Sequence, residues 1–557
     1  MSAAQPPCTL GRMVISAGMT IEEVASALDL LPGEIQYYGR DAAKIELSAL
    51  DRLSGAPDGK LVSVTAMTPT RFGEGKTTTA ISLVEALGRI DVRSLLCLRE
   101  PSLGPVFGLK GGGTGGGQAQ VVPMEQINLH FTGDIHAIGA ANNLLAAAID
   151  AHLLHGNELA LDPHSISWRR CVDMDDRALR QIVVGLGGRP NGYPRETGFD
   201  ITAASEVMAI VAVSRNLHDL RKRLGAITVG ASFEGEPVTA EQLGVAGSMA
   251  VLLREAIKPN LARTLEGEPA LIHCGPFANI AHGNNSVLAD LLGLKLADYV
   301  VTESGFGADM GFEKFVDIIC RSNGIAPSAV VLVATVQALK HHGGDSDGGV
   351  IALERGIANL AANLRIVHAF GLPCVIAINR FAGDSDAEID AARSLAAALD
   401  VVGVAVNEGF ERGGEGAVEL AEAVIDATSG ATSPPSFLYE LDESIERKIH
   451  DVATRAYGAA GVELSPAASA QAARFEQAGL GKLPVCMAKT HLSLSHDATL
   501  IGAPTGFTLP VRELRPYTGA GWIVAVCGDM QTMPGLPAQS AAQRIDLDAS
   551  GATVGLR

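Results

Sequence analysis

Residues 68–79 read TPTRFGEGKTTT, and their types and spacing suit an anion. Gly73 and Gly75 let the backbone approach a phosphate closely, while Lys76 and Thr77 open a helix whose free N–H groups favour negative charge. In a P-loop the lysine reaches the β- and γ-phosphates and the following hydroxyl binds Mg2+. Two departures stand out. The G-x-x-x-x-G-K-[ST] spacing asks for glycine where Thr70 stands, and Glu74 brings a carboxylate to the place where phosphates would gather. Glu74 must therefore turn away or share a cation. The competing reading is an ordinary strand-to-helix turn. A second cluster lies at 98–138, where Arg99, Glu100, Lys110, Glu125, His130, Asp134 and His136 sit among Gly, Pro and apolar residues. An arginine fork beside a phosphate-binding turn can hold carboxylate and phosphate oxygens together, as an acyl phosphate requires.

These residues need a rigid frame. Short apolar runs at 61–67, 94–98, 270–274, 298–302, 329–335, 374–379 and 401–406 alternate with helical or Gly-rich stretches. Such alternation predicts an α/β fold with a large doubly wound, mostly parallel sheet, P-loop-like, whose ligands lie beyond the carboxyl ends of the strands. Arg99 and Glu100, Pro276 to Asn279, Glu303, Lys340, and Asn379 to Phe381 all follow such runs. Near the N-terminus, Thr20 and Glu23 read as the capping box of a surface helix. After Gly430, the TSPPS stretch at 432–436 marks a boundary or hinge, and a helical segment ends near Tyr457. The GGGTGGG run at 111–117 is either a flexible linker or a backbone-rich loop beside the phosphate site.

Composition narrows the class. With 557 residues, 47% hydrophobic and 19% charged, the chain can build a large core over two to four domains and is not disordered. A net charge of -19 argues against nucleic acid or an anionic membrane as partner. The eight cysteines are scattered without a C-x-x-C pair and read as reduced core thiols. No leader or run of membrane-crossing length is visible, so the expected location is cytoplasmic. The KHHGGD cluster at 340–345 is no zinc site by its spacing, because adjacent histidines point apart and Lys340 opposes a cation.

Taken together, the TPTxxGEGKTTT turn, the 98–138 segment, ITAASEVMAI (201–210), GPFANIAHG (275–283), TESGFGADMGFEKF (302–315), ATVQALKHHGG (334–344), AINRF (377–381) and TMPGLP (532–537) closely resemble formate–tetrahydrofolate ligases. The resemblance spans nearly the whole chain. It implies an ATP-dependent ligase in which formate attacks the γ-phosphate, giving formyl phosphate and ADP, and a folate amine then takes the formyl group to yield 10-formyltetrahydrofolate. On matching positions, Thr68, Pro69, Thr70, Gly73, Glu74, Gly75, Lys76, Thr77 and Thr78 bind nucleotide phosphates, Thr77 meets Mg2+, and Arg99 holds formate and formyl phosphate. Glu100 or Asp134 would accept the amine proton; the alternative roles are a partner for Arg99 and a helix cap. Phe381 matches one side of the family's aromatic clamp. Phe410 stands where the family has tryptophan, so clamping is expected to persist with altered affinity. Arg380 meets a phosphate or glutamate tail, or is solvated charge. Thr202 and Ser205 line the substrate cleft, or serve as helix cap and packing respectively. The resemblance also implies activation by K+ or NH4+ and a homotetramer. The expected divisions are a nucleotide- and formyl-phosphate-binding α/β domain (1–370), a ring-clamp region of a second α/β domain (371–430) and an α+β C-terminal domain (431–557). Other readings are an ATP-dependent enzyme activating another carboxylate, and a nucleotide-switched scaffold ATPase.

Overall fold

The computed structural model describes residues 18–70, 73–108, 111–344, 349–430, 434–528 and 530–556. Arg71, Phe72, Lys110, Asp345, part of the expected boundary at 432–436 and Cys8 lie outside them.

Eleven strands matter for the site: β1 (Ile35–Tyr38), β2 (Ala42–Ile45), β3 (Lys60–Ala66), β4 (Ser94–Leu98), β5 (Ala119–Val122), β6 (Asn260–Thr264), β7 (Pro269–Ile272), β8 (Tyr299–Glu303), β9 (Pro327–Thr335), β10 (Cys374–Asn379) and β11 (Gly403–Asn407). They belong to a twelve-stranded sheet with the spatial order β1-β2-β6-β7-β4-β8-β3-β9-β10-β11, with β5 paired to β6. From β7 to β11 along that order every pairing is parallel. The β1–β2, β2–β6 and β6–β7 pairings are antiparallel. The chain is thus α/β, with a large mixed sheet of mostly parallel strands.

Side-chain alternation explains why the sheet is covered on both faces. Val62, Val64 and Ala66 of β3 pack with Ala80, Leu83, Val84 and Leu87 of the helix α1 (Lys76–Arg89), whereas Leu61 joins Leu95 and Cys97 on the opposite face. Parallel strands buried on both faces must be apolar at nearly every position. That is why the apolar runs lie within two residues of the observed strands. The antiparallel edge escapes the same reading, because β2 buries Lys44 and β6 buries Asn260. The expected boundary at 370/371 falls just before β10, which pairs with β9 over Val330–Cys374 to Thr335–Asn379 within this one sheet.

A second, four-stranded sheet comprises β12 (Gly461–Leu464), β13 (Val485–Ala488), β14 (Thr508–Tyr517) and β15 (Trp522–Cys527). Alternate residues of β15 enter two cores: Trp522, Val524 and Val526 pack with the body of the molecule, Ile523, Ala525 and Cys527 with the C-terminal helices.

The Thr20–Glu23 capping box is present. The helix α2 (Asp134–Leu154) has mean hydropathy 1.3 and, by length and composition alone, could cross a membrane, contrary to the reading of the apolar runs. Here Ile138, Leu145 and Ile149 pack in the main core, while Asp150 pairs with Arg170 and Arg195. The glycine run at 111–117 is not a linker. A Cβ on Gly112 would lie 2.2 Å from Asn128, and one on Gly115 2.4 Å from Ile81 of α1, so the loop is packed against the helix that follows the phosphate-type turn. All the described cysteines are buried with free thiols.

Candidate functional site

The turn leaving β3 is held by its own acidic residue. Glu74 is buried and accepts from the Thr70 N–H at 2.7 Å and from the Thr335 hydroxyl at 2.5 Å. Its carboxylate therefore closes the turn against the end of β9. Thr70 supplies the backbone donor here, in the place where the ordinary motif has glycine. Gly73 and Gly75 have φ values of 82° and 71°, which side chains with a Cβ rarely adopt. At Gly75 a Cβ would also meet the Asn379 amide at 2.9 Å. The Asn379 Nδ2 donates to the Glu74 carbonyl at 2.8 Å, and its Oδ1 accepts from Thr79 and Asn407, both at 2.9 Å. The ends of β10 and β11 thus brace the start of α1. Thr68 is buried, its hydroxyl accepting from Asn359 at 3.0 Å and its carbonyl meeting His342 at 2.7 Å. Pro69 is buried beside it, whereas Thr78 is half-buried on the first turn of α1. Thr68 therefore anchors the turn through a buried network. His342 of the KHHGGD cluster is committed to this network and to the Gly502 N–H at 3.1 Å, and Lys340 pairs with Glu388.

At the end of β8, Glu303 joins the two sequence clusters. One carboxylate oxygen accepts from the Thr77 hydroxyl at 2.5 Å, and the other from Arg99 Nη2 at 2.9 Å. Glu303 is 6% exposed at its side chain and Arg99 25%, so the carboxylate is buried and the guanidinium is partly open to solvent. Burial alone would raise the Glu303 pKa. The nearby positive charges of Arg99 and Lys76, with hydrogen bonds from Thr77 and Arg99, outweigh it and hold the group below the usual range. For half-buried Lys76, loss of solvation dominates and lowers its pKa despite Glu303 and Glu74, with Arg99 adding repulsion. The Lys76 ammonium and the Arg99 guanidinium both act on the Glu303 carboxylate, and their remaining N–H groups are donors of the kind that phosphate or carboxylate oxygens accept. The hard oxygens of Thr77 and Glu303 suit Mg2+, which binds through one or two carboxylates plus substrate phosphates.

Glu100, next along the chain, is surrounded differently. Burial raises its pKa strongly, Asp134 and Asp173 add to the rise, and Lys44 opposes it. Its Oε2 is buried without a hydrogen-bond partner. Asp134 is neither a partner of Arg99 nor a helix cap. Gly133 holds the cap position, and the Asp134 carboxylate accepts from Lys44 Nζ at 2.8 Å on both oxygens and from Asn260 at 2.9 Å.

Of the two expected ring residues, Phe381 lies beside the turn and Phe410 lies against the glycine run. Phe381 lies 4.0 Å from a Cβ position on Gly75, and Phe410, 53% exposed, lies 3.1 Å from that on Gly116. The Phe410 carbonyl accepts from the Gln118 N–H at 2.8 Å, fixing its loop to the packed glycine run. Arg380 is paired with Asp386 at 2.5 Å and Glu408 at 3.4 Å, so it is an ion-pair residue in this structure. At 202–205 the expected helix-cap role belongs to Ser205, whose hydroxyl accepts from the Met208 N–H at 3.2 Å, while Thr202 is buried in the preceding turn. Glu303, Asn379 and Asn407 had no assigned role in the sequence reading. Their one sequence signal was position at the carboxyl end of an apolar run.

The chain is an α/β protein with a phosphate-type turn, a buried carboxylate and a partly buried guanidinium at the carboxyl edge of a mostly parallel sheet, an arrangement that suits an anion. Sequence comparison then narrows the class. The chain belongs to the formate–tetrahydrofolate ligase family, whose model matches residues 15–557. It is 57% identical over 551 residues to the formate–tetrahydrofolate ligase of Roseiflexus sp. (strain RS-1), covering 96% of this chain and 97% of that protein. The ligase of Desulforamulus reducens is 52% identical over 551 residues, with the same coverage of both chains. The ligase of Methylobacterium sp. (strain 4-46) is 53% identical over 543 residues, again covering 96% and 97%.

Proposed function

We propose that this chain joins formate to tetrahydrofolate at the expense of ATP, through formyl phosphate. The observation that carries the mechanism is the Glu303 carboxylate shared between Thr77 and Arg99. Formate is already an anion near neutral pH and needs no base. The work is to hold two negative groups in line, which is positioning and electrostatics. In this reading the backbone of 73–77 and the Lys76 ammonium hold the phosphates. Arg99, oriented by Glu303, holds formate as its oxygen bonds to the γ-phosphorus and the bond from that phosphorus to ADP breaks. Thr77 and Glu303 would hold Mg2+, which supplies positive charge over the phosphate oxygens when bound.

In the second step the folate amine bonds to the formyl carbon, the carbon–oxygen bond to phosphate breaks, and the amine proton leaves. We assign the acceptor to Glu100 in its ionised form, which its raised pKa makes a stronger base than an ordinary carboxylate and whose Oε2 is unpartnered, and give Asp134 a positioning role through Lys44. Glu100→Gln should then lower kcat and remove a pH limb, whereas Asp134→Asn should act on stability. Phe381 and Phe410 are assigned to the folate or nucleotide ring. The frame for this chemistry is read as a doubly wound, P-loop-like domain over 1–370, with the clamp region at 371–430 extending the same sheet and 431–557 as the C-terminal unit. Activation by K+ or NH4+, a homotetramer and a cytoplasmic location complete the proposal; sedimentation velocity and a cation titration of activity test the first two.

Purified protein with ATP, Mg2+, formate and tetrahydrofolate should release ADP only when both acceptors are present and accumulate formylated folate. ADP release without formate would favour the scaffold ATPase, and absence of formylated folate would remove the ligase reading. Lys76→Ala and Arg99→Ala should both abolish turnover.

A further inference from the structure

A second concentration of positive charge lies away from the phosphate-type turn. A cavity of about 450 Å³ is lined by Arg169, Arg180, Arg512 and Arg515, with Glu513 and Thr532 among its walls. Glu513 in the wall, and Asp200 at 3.2 Å from Arg169, stand against these guanidiniums. In a chain of net charge -19, four arginines around one cavity are a marked local reversal.

The forks are also held in place. Arg180 Nε donates to the Met533 carbonyl at 2.8 Å, and Arg169 donates to the Arg180 carbonyl. Arg515 donates through Nε and Nη2 to one oxygen of Glu513 at 2.9 and 2.5 Å. Thr532 donates to Asp200 at 2.5 Å, turning that carboxylate toward the wall. Guanidiniums fixed by one edge have little ordering cost left when a ligand meets the other. The volume falls within the range of roughly 300–1,000 Å³ usual for small-molecule sites. Met533, in the cavity wall, packs with Ile201, Ile280 and Phe277.

We propose that this cavity binds a small polyanion carrying two or more phosphate or carboxylate groups, each met by a different guanidinium. Recognition by separate forks favours a multiply charged ligand over a single small anion. The two sources of such chemistry are a phosphate compound and a chain of carboxylates.

Calorimetric titration of the whole chain in a Lys76→Ala background keeps the phosphate-type turn from contributing. The probes are sodium pyrophosphate and a tri-γ-glutamate peptide, each at low and high salt. One ion per chain is expected, with affinity falling as salt rises and weakened about tenfold or more by Arg180→Gln. Arg512→Gln, at a side chain 45% exposed, should weaken binding without lowering the melting temperature. Binding of pyrophosphate alone assigns a phosphate ligand, and binding of the peptide alone assigns a polycarboxylate. The proposal is overturned if neither probe binds at millimolar concentration, or if both variants bind as the parent does. A changed sedimentation coefficient in the variants, with unchanged binding, would make the cavity a subunit contact and equally overturn it.

Discussion

Glu303 acts at the scale of a single carboxylate, because its two oxygens serve different partners. Replacing it by glutamine keeps the shape but removes the charge that holds Arg99 and leaves Thr77 with a weaker acceptor. We expect Glu303→Gln to lower kcat by about 100-fold, in the range for loss of one preorganised electrostatic contact, and to raise the Mg2+ concentration needed for half-maximal rate. Steady-state kinetics with varied Mg2+ checks both, and unchanged values would remove Glu303 from the mechanism. Phe410 makes a separate test. Its ring is exposed and its backbone is tied to Gln118, so Phe410→Ala should leave the melting temperature nearly unchanged while raising the KM of folate or ATP. If both KM values stay constant, the ring assignment fails.

At the scale of elements, the phosphate-type turn is braced by strands that lie far away in sequence. Asn379 of β10 is bonded to the Glu74 carbonyl and to Thr79, and Asn407 of β11 completes the brace. Asn379→Ala would leave buried donors and acceptors unsatisfied, at a cost of about 1–3 kcal/mol. Because the loss falls on the turn, the KM for ATP should rise more than that for folate. Gly75→Ala combines a φ of 71° with a 2.9 Å approach to the Asn379 amide, so it should act in the same direction and more strongly. Thermal melts and the two KM values, measured on both variants, separate this local effect from general unfolding.

At the scale of the molecule, Glu206 links the C-terminal sheet to the body. Its carboxylate accepts from the N–H groups of Gly519 and Ala520 at 2.8 and 3.3 Å. Burial outweighs these bonds and raises its pKa from 4.5 to about 8. The folded state therefore keeps a proton that the unfolded state has lost between those values. Stability from this group is fully present below pH 4.5 and is lost as pH rises toward about 8, by at most about 1.4 kcal/mol per pH unit. Glu85, Glu268 and Glu313 are raised to about 8 in the same direction, so Glu206→Gln removes one share of a common slope. Melting temperatures from pH 5 to pH 9 should fall less steeply in the variant. A parallel pair of curves would refute the linkage.

The sequence by itself determined the parts governed by local rules. Runs apolar at every position predicted the parallel strands, because a strand covered on both faces has no polar side. The glycines and lysine of 73–76 marked a tight turn opening a helix, of the kind suited to an anion, since φ and helix-end geometry are set by adjacent residues. Tertiary structure alone decided which distant groups meet there. Thr77 and Glu303 are 226 residues apart, Arg99 and Glu303 204, and Asn379 and Glu74 305. Nor does any periodicity show that Lys44 neutralises Asp134, or that arginines from two stretches more than three hundred residues apart share one cavity. Those encounters depend on strand order in the sheet, and strand order is fixed by packing across the whole chain.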